Sequence, residues 1–399
     1  VNGFLKLAPP LLLAVVAAAC NAGGSSTLPS AAGQSAEYHH SIPQWQATGA
    51  AHRACPQARP GWEECDLLVA ATKKSPAVAG FGPSDLQAAY HLPSSKKGQG
   101  VIVAIVDAFD NPNVASDLAV YRKYFGLPKA KFHKYNQIGQ EGHYPKGDPG
   151  WGGEIDLDVQ MVSAVCPNCT IYLLEAKTNS SRNLYDAERE AVTLGATIIS
   201  NSWGGGGGNP TRDAFNTPGI VYLASAGDDG YGMQDPADFQ NVVSVGGTLL
   251  SKTSSGYTER TWPDTGCGCS KVNKPKWQHD PDCNKRTGND VSAVAMGVAT
   301  YDTYSSGGWG TAGGTSVSSP LLGGVFGLAN NSAKEDGGRN FWQLSKKELK
   351  KDLHAITTGT VMGCPPSLSE SYLCVAGTGD YGQYSGPAGW GTPNGIGAF

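Results

Sequence analysis

The stretch VIVAIVDA (101–108) is an apolar run closed by an aspartate near its end and preceded by Gly100. A strand with one face in water alternates apolar and polar residues. A run that is apolar almost throughout reads as a strand buried on both faces, as in a parallel sheet covered by helices. Working outward, IYLLEA (171–176), TIISNSW (197–203) and IVYLASAG (220–227) share this texture. Helical spacing separates them: Val114, Leu118, Tyr121 and Phe125 within 111–125, then Leu184, Ala187, Ala191 and Leu194. Upstream, GPSDLQAAYHL (82–92) predicts a helix capped by Ser84 or Asp85. Repeated strand–helix–strand units imply an α/β fold, a doubly wound and mainly parallel sheet with helices on both faces. Such sheets place their sites at the carboxyl ends of strands.

The 399 residues carry 30 Lys+Arg against 34 Asp+Glu, a net charge of −4, which gives no electrostatic case for nucleic acid or an anionic membrane surface. Apolar residues at 40% supply a large core, in one big domain or two smaller ones. The 54 glycines show no period of three, which excludes collagen and assigns the excess to turns and close backbone approaches.

At the start, one Lys precedes the apolar run Leu11 to Ala19, too short to span a bilayer but suited to a secretory leader. Cys20 follows three alanines, so ordinary cleavage after Ala19 and a lipid anchor at Cys20 both remain open. The expectation is a secreted protein or a cell-envelope lipoprotein. Residues 1–20 would be the leader, 21–79 a linker or short pro-segment, and 80–399 the folded domain. Ten cysteines suit an oxidising compartment. Proximity in sequence suggests Cys55 with Cys65, Cys166 with Cys169, Cys269 with Cys283 and Cys364 with Cys374, leaving Cys267, which could trade places with Cys269. One CPNC and a distant CGC make a weak zinc pattern.

Three stretches could carry chemistry. In GGTSVSSPLLGGVFGLANN (313–331), small residues lead into an apolar segment of helix length, which sets Ser316 at or near a helix N-terminus. It is then either a nucleophile favoured by the unpaired N–H groups there or an ordinary N-cap serine. None of the eight histidines stands beside a Gly-rich turn leading into a helix, and no G-x-S-x-G elbow is present. A base for Ser316 would therefore be something other than imidazole. In GWGGEIDLDVQMVSAVCP (150–167) the period is ambiguous. On a strand, Glu154, Asp156 and Asp158 would share a face and suggest a cation site. On a helix, Glu154 and Asp158 stack one turn apart, Asp156 points elsewhere, and the pair shares a proton. In ASAGDDG (224–230), Asp228 and Asp229 end an apolar strand, either as a tight turn or with a neutral Asp as oxyanion donor. Asp107 competes for that role.

These stretches, with GFGPSDLQAAYHLP (80–93), VAIVDAFDNPN (103–113), ISNSWGG (199–205), SAGDDGYG (225–232), GTSVSSP (314–320) and GWGTPNG (389–395), closely resemble the sedolisin family of serine-carboxyl peptidases. The likeness runs from Gly80 to Phe399 and implies a subtilisin-like fold. It implies Ser316 as nucleophile, Glu154 as general base, Asp158 as its partner and Asp228 as oxyanion donor. A substrate strand would lie beside Ser202, Trp203 and Gly204, although Trp203 suits a packing role as well. Activity should then peak in acid, because Asp228 must be protonated while Glu154 accepts a proton. No cofactor is required for the chemistry. The family usually holds calcium near its C-terminus through aspartates that align with Ala355 and Ser385 here, so that site looks degraded unless Asp352 or Asp380 substitutes. The family commonly has a large folded pro-domain, whereas fewer than 80 residues precede the matching region, which suggests another activation route. The expected partners are protein or peptide substrates, with the chain a monomer. A catalytically silent envelope binding protein of the same fold is the alternative, and a Ser-His-Asp hydrolase would need a histidine within reach of Ser316.

Overall fold

The computed structural model describes residues 51–70, 78–205, 212–334, 336–378 and 383–399. The leader, Cys20, most of the glycine run after Trp203 and Asp380 fall outside the described residues. Three short strands come first: β1 (Ala51–Arg53), β2 (Glu64–Cys65) and β3 (Leu68–Ala70). They lie within the stretch expected to be a linker or pro-segment, and all three pair within the fold.

Helix α1 (Pro83–Ala89) starts earlier than Ser84 or Asp85 as cap would allow: Gly82 is the N-cap and Pro83 occupies the first turn. Proline's fixed φ and missing N–H suit that position. Asp85 instead reaches back to accept the Gly82 N–H at 3.2 Å. The chain then alternates through β4 (Ile102–Ala108), α2 (Val114–Tyr124), β5 (Lys131–Asn136), α3 (Pro149–Val165), β6 (Thr170–Ala176) and α4 (Ser181–Thr193). The TIISNSW stretch divides at Ser202 into β7 (Ile198–Asn201) and β8 (Trp203–Gly204), followed by β9 (Val221–Ser225). Next come β10 (Val242–Thr253), β11 (Gly256–Thr261), β12 (Gly268–Asn273), β13 (Lys285–Gly288), β14 (Val291–Val294), β15 (Met296–Asp302) and β16 (Gly308–Gly313), leading into α5 (Thr315–Ala329).

The main sheet has eight strands in the order β11-β10-β9-β7-β4-β6-β5, with β14 also beside β10. Only β10 with β11 is antiparallel. In the middle, Ile105 of β4 faces Leu173 of β6 and Ser200 of β7 in parallel register. Helices α3 and α5 pack together, α5 also against β7 and β9, and α4 against β6 and β4. Every residue of α3 from Trp151 to Val165 is buried, as expected of a helix enclosed on all sides. The ambiguous period of 150–167 thus resolves as a helix, capped by Asp148, which accepts the Trp151 N–H at 3.1 Å.

A second, four-stranded sheet runs β1-β3-β16-β15. Disulfides join Cys55–Cys65, Cys166–Cys169, Cys269–Cys283 and Cys364–Cys374, and Cys267 is a buried free thiol. No helix among the described residues is long and apolar enough to cross a membrane.

Candidate active site

Helix α5 begins at Thr315, with Gly314 as its N-cap at φ 105°. That conformation favours glycine, and a Cβ on Gly314 would stand 1.9 Å from the Asp66 carbonyl oxygen. The N-cap therefore has no side chain, and Ser316 is the second helical residue, free of capping. Its hydroxyl donates to Glu154 Oε2 at 2.9 Å, with the Ser202 carbonyl as a second acceptor at 3.2 Å. Pro320, four residues on, has no N–H to offer the Ser316 carbonyl. Ser202 Oγ lies 3.4 Å from that carbonyl.

Glu154 and Asp158 lie one turn apart on α3, both wholly buried. Asp158 Oδ1 accepts from Ser202 Oγ at 2.9 Å, so one hydroxyl links the acid pair to the start of α5. Glu154 Oε1 and Asp158 Oδ2 receive no hydrogen bond from any other residue, and the two side chains bond to one another. Burial raises both groups well above the ordinary carboxylate range; Asp158 and then Asp107 add to the effect on Glu154, and Asp107 adds to that on Asp158. Two such carboxyls cannot both ionise cheaply, so the pair holds a proton between them. Asp107, at the end of β4, has both oxygens unpartnered, and burial pushes it up to about 8. It stands behind the pair as a neutral acid.

Asp228 follows β9, and its Oδ1 accepts the backbone N–H of Thr315 at 2.8 Å and the Thr315 hydroxyl at 2.9 Å. The other oxygen, Oδ2, is buried without a partner. Burial pushes Asp228 up to about 7, against the lowering effect of the two Thr315 bonds and Arg53. In acid it is a neutral group with a proton to donate from Oδ2. Its neighbour Asp229 instead faces outward and pairs with Arg53 at 2.6 Å.

The structure thus brings Ser316, Glu154, Asp158 and Asp228 together around the first turn of α5. Ser202 joins through its hydroxyl and carbonyl; the family resemblance had set it beside a substrate strand, whereas its link between the acid pair and Ser316 was not foreseen. Thr315 as the group orienting Asp228 was also missed. Trp203 packs: its ring is buried, donates from Nε1 to the Val106 carbonyl at 2.7 Å and stacks on Tyr185. The backbone of Trp203 and Gly204 is paired with Cys65 and Glu64. Among the described residues, no histidine is a hydrogen-bond partner of Ser316.

Asp156 points away from the pair, as a helix requires, and gathers with Asp117 and Asp302, their oxygens within 4.8 Å of one another. At the C-terminal positions where the family resemblance implied calcium, Ala355 has no side-chain oxygen and Ser385 has only a buried hydroxyl. Asp352 accepts from Lys351 Nζ at 3.0 Å. Asp380, the other acid that could substitute, lies outside the described residues.

The subtilase family model matches residues 143–360. Kumamolisin from Bacillus sp. (strain MN-32) is 30% identical over 293 residues, covering 63% of this chain and 52% of the relative. Sedolisin from Pseudomonas sp. (strain 101) is 24% identical over 387 residues, covering 84% of this chain and 63% of the relative. The chain therefore spans between half and two thirds of the length of these relatives. A solved structure of Pseudomonas sedolisin, a serine-carboxyl proteinase complexed with two molecules of pseudo-iodotyrostatin, superposes with a TM-score of 0.66 at 24% identity. It covers 80% of this chain and 96% of that one, a likeness of fold.

Proposed function

The chain belongs to the subtilase family, on its sedolisin branch, and from that premise we propose that it is a serine-carboxyl endopeptidase that hydrolyses protein or peptide substrates in acid. The observation that carries this reading is the 2.9 Å hydrogen bond from the Ser316 hydroxyl to a carboxyl of a buried acid pair.

In this reading Glu154 takes the Ser316 proton as Oγ attacks the scissile carbonyl, and Asp158 shares the proton received. Asp228 Oδ2–H donates to the carbonyl oxygen as it becomes an oxyanion. The first-turn position of Ser316 adds the favourable end of the α5 dipole. The C–N bond breaks, Glu154 returns the proton to the leaving amine, and water hydrolyses the Ser316 ester by the same steps in reverse order. Asp228 is needed protonated, which sets the alkaline limit; the acid pair must retain a site for the serine proton, which sets the acid limit. These side chains need no metal for the steps described. Export is part of the proposal, resting on the apolar leader and the four disulfides. A lipid anchor at Cys20 is left to intact-mass measurement of the exported protein.

Digestion of denatured casein by the purified, processed protein, followed from acid to neutral pH, tests the reading. Turnover in acid that disappears in both Ser316→Ala and Glu154→Gln supports it. Turnover that survives both refutes it, and a folded, processed wild type without turnover at any pH would leave a silent binding protein of the same fold.

A further inference from the structure

The excursion between β12 and β13 and a short helix, α6 (Arg339–Gln343), enclose a pocket of about 360 Å³. Its lining is Lys276, Trp277, His279, Arg339, Trp342 and Gln343, none of which belongs to the site around Ser316. Two indoles and two cations thus share one concave surface, and no carboxylate lines it. The chain as a whole has a net charge of −4, so this lining runs against the average of the molecule. Aromatic walls with a few placed polar groups are the usual make-up of a small-ligand site.

Both rings are held from behind by one ion pair. Arg286 and Asp290 are wholly buried and bond to each other. The Arg286 guanidinium lies over the Trp277 ring, 5.1 Å from its centroid, and donates to the Thr287 carbonyl at 2.7 Å. Asp290 Oδ1 accepts from Trp342 Nε1 at 3.4 Å, while its Oδ2 accepts the Ser244 N–H at 2.9 Å. Gly338, at φ 82°, lets α6 sit against this acid, since a Cβ there would stand 2.3 Å from Asp290 Cγ. Tyr384 and Trp390 also pack on Trp342, with centroids 4.5 and 5.2 Å from it. None of these four supporting residues lines the pocket, so each steadies a ring from its far side. The two indole centroids are 6.3 Å apart and their planes are inclined at 48°, giving two adjoining faces that are set before any ligand arrives.

We propose that this pocket binds an anionic sugar, a pyranose carrying a carboxylate or sulfate, as one unit of a longer glycan. The C–H groups on a pyranose face carry partial positive charge and match the negative face of an indole. Lys276 and Arg339 supply the counter-charge, Arg339 through a planar fork that takes two oxygens at once. Its present pairing with Asp336, at 3.7 Å between half-exposed groups, is screened by water and yields to a better-placed anion. Gln343 adds an amide for the sugar hydroxyls. Lys276, Arg339 and Gln343 are exposed and the indoles only partly buried, so the site is shallow and a polymer can continue beyond it. A neutral sugar would leave the cations unused. A nucleic acid would need a basic track along its backbone, which this pocket does not provide. The proposal stands apart from the peptidase reading: a glycan held here would keep the chain beside an acidic polysaccharide whatever the Ser316 site does.

Isothermal titration calorimetry tests this on the full chain with Ser316→Ala, which prevents self-digestion, in weak acid at low salt. The probes are tetragalacturonate, a sulfated dextran oligomer, neutral cellotetraose and a short oligothymidylate. At least one of the two anionic sugars should bind with a Kd of about 1 mM or tighter, and cellotetraose at least about tenfold more weakly. Which anionic sugar binds distinguishes carboxylate from sulfate. Adding Trp277→Ala should weaken binding about tenfold and Trp277→Phe by less, as for loss of a stacked ring. In a separate protein, Lys276→Gln with Arg339→Gln should weaken it at least about fivefold and flatten its salt dependence. That protein changes only exposed side chains and leaves the ring scaffold in place, so it decides the matter even where Trp277→Ala fails to fold. No heat from either anionic sugar at about 10 mM would overturn the proposal. So would equal binding of cellotetraose, tighter binding of the oligothymidylate, or sugar binding that survives removal of both cations.

Discussion

Helix α3 carries acids on two faces, and the fold treats them in opposite ways. Asp156 is provided for: Asn111 Nδ2 donates to it at 2.6 Å, and its neighbours Asp117 and Asp302 accept backbone N–H bonds from Thr303 at 2.7 Å, Ser305 at 2.8 Å and Ser306 at 3.0 Å. On the other face, Glu154 and Asp158 each receive one serine hydroxyl and are otherwise left to share a proton with one another. Burial raises the pKa on both faces, so the shift alone does not separate them. The hydrogen-bond inventory does. Two buried acids left to share a proton beside a serine hydroxyl mark a place where protons move.

The sharpest way to break this contrast is substitution. Glu154→Gln or Ser316→Ala should lower kcat by about 10³-fold or more, the scale of losing a nucleophile or its base, whereas Asp156→Asn should leave kcat within about threefold. Equal losses at Glu154 and Asp156 in a casein assay would erase the distinction. Asp228→Ala comes next, costing about 10²–10³ in kcat, as for loss of one oxyanion donor. In the wild type, kcat/KM should fall as pH rises through about 7, where Asp228 loses its proton. A pH–rate profile flat from 5 to about 8 would remove Asp228 from the role.

Stability should respond too. Asp107, Glu188 and Asp228 are pushed by burial to about 8, 8 and 7, from ordinary values of 3.8, 4.5 and 3.8. The folded state therefore binds more protons than the unfolded state through this window, and unfolding free energy drops as pH rises. Their contribution is complete below the ordinary carboxylate range and is lost through about pH 7 to 8. Denaturant melts at acid and mildly alkaline pH should show the acid sample to be the more stable. The smallest effect belongs to the well-bonded face: Asp156→Ala strands a buried Asn111 amide and should cost about 1–3 kcal/mol. It should do so in a melt without shifting the pH–rate profile.

The sequence disclosed the parallel strands, because fully buried strands are apolar in nearly every position: β4, β7 and β9 lie within the runs that showed it, and β6 exceeds its run by Thr170 alone. The disulfide partners were close in sequence and paired as expected. From Val242 onward the strands escaped notice. Residues such as Gly246, Gly247, Arg286 and Asn289 interrupt the apolar pattern because their partners are supplied by distant chain, as when Asn289 Nδ2 reaches the carbonyls of Gly266 and Gly386. Ser316 shows the limit locally. A serine before an apolar helix can cap it or lie inside it, and only the positive φ of Gly314, a tertiary outcome, puts Ser316 inside. The strands β2 and β3 gave no signal, since they are too short to show a period and lean on edges contributed largely by distant chain: β2 on Trp203 and Gly204, β3 on Ala312 and Gly313 as well as on β1.

Cys267 lies buried as a free thiol while four disulfides close around the same fold. A maleimide can reach it only when its surroundings open, so the rate at which the chain gains reagent mass at Cys267 would time that opening. The molecule thus carries a clock for its own breathing, readable by mass alone with no fluorophore and no turnover.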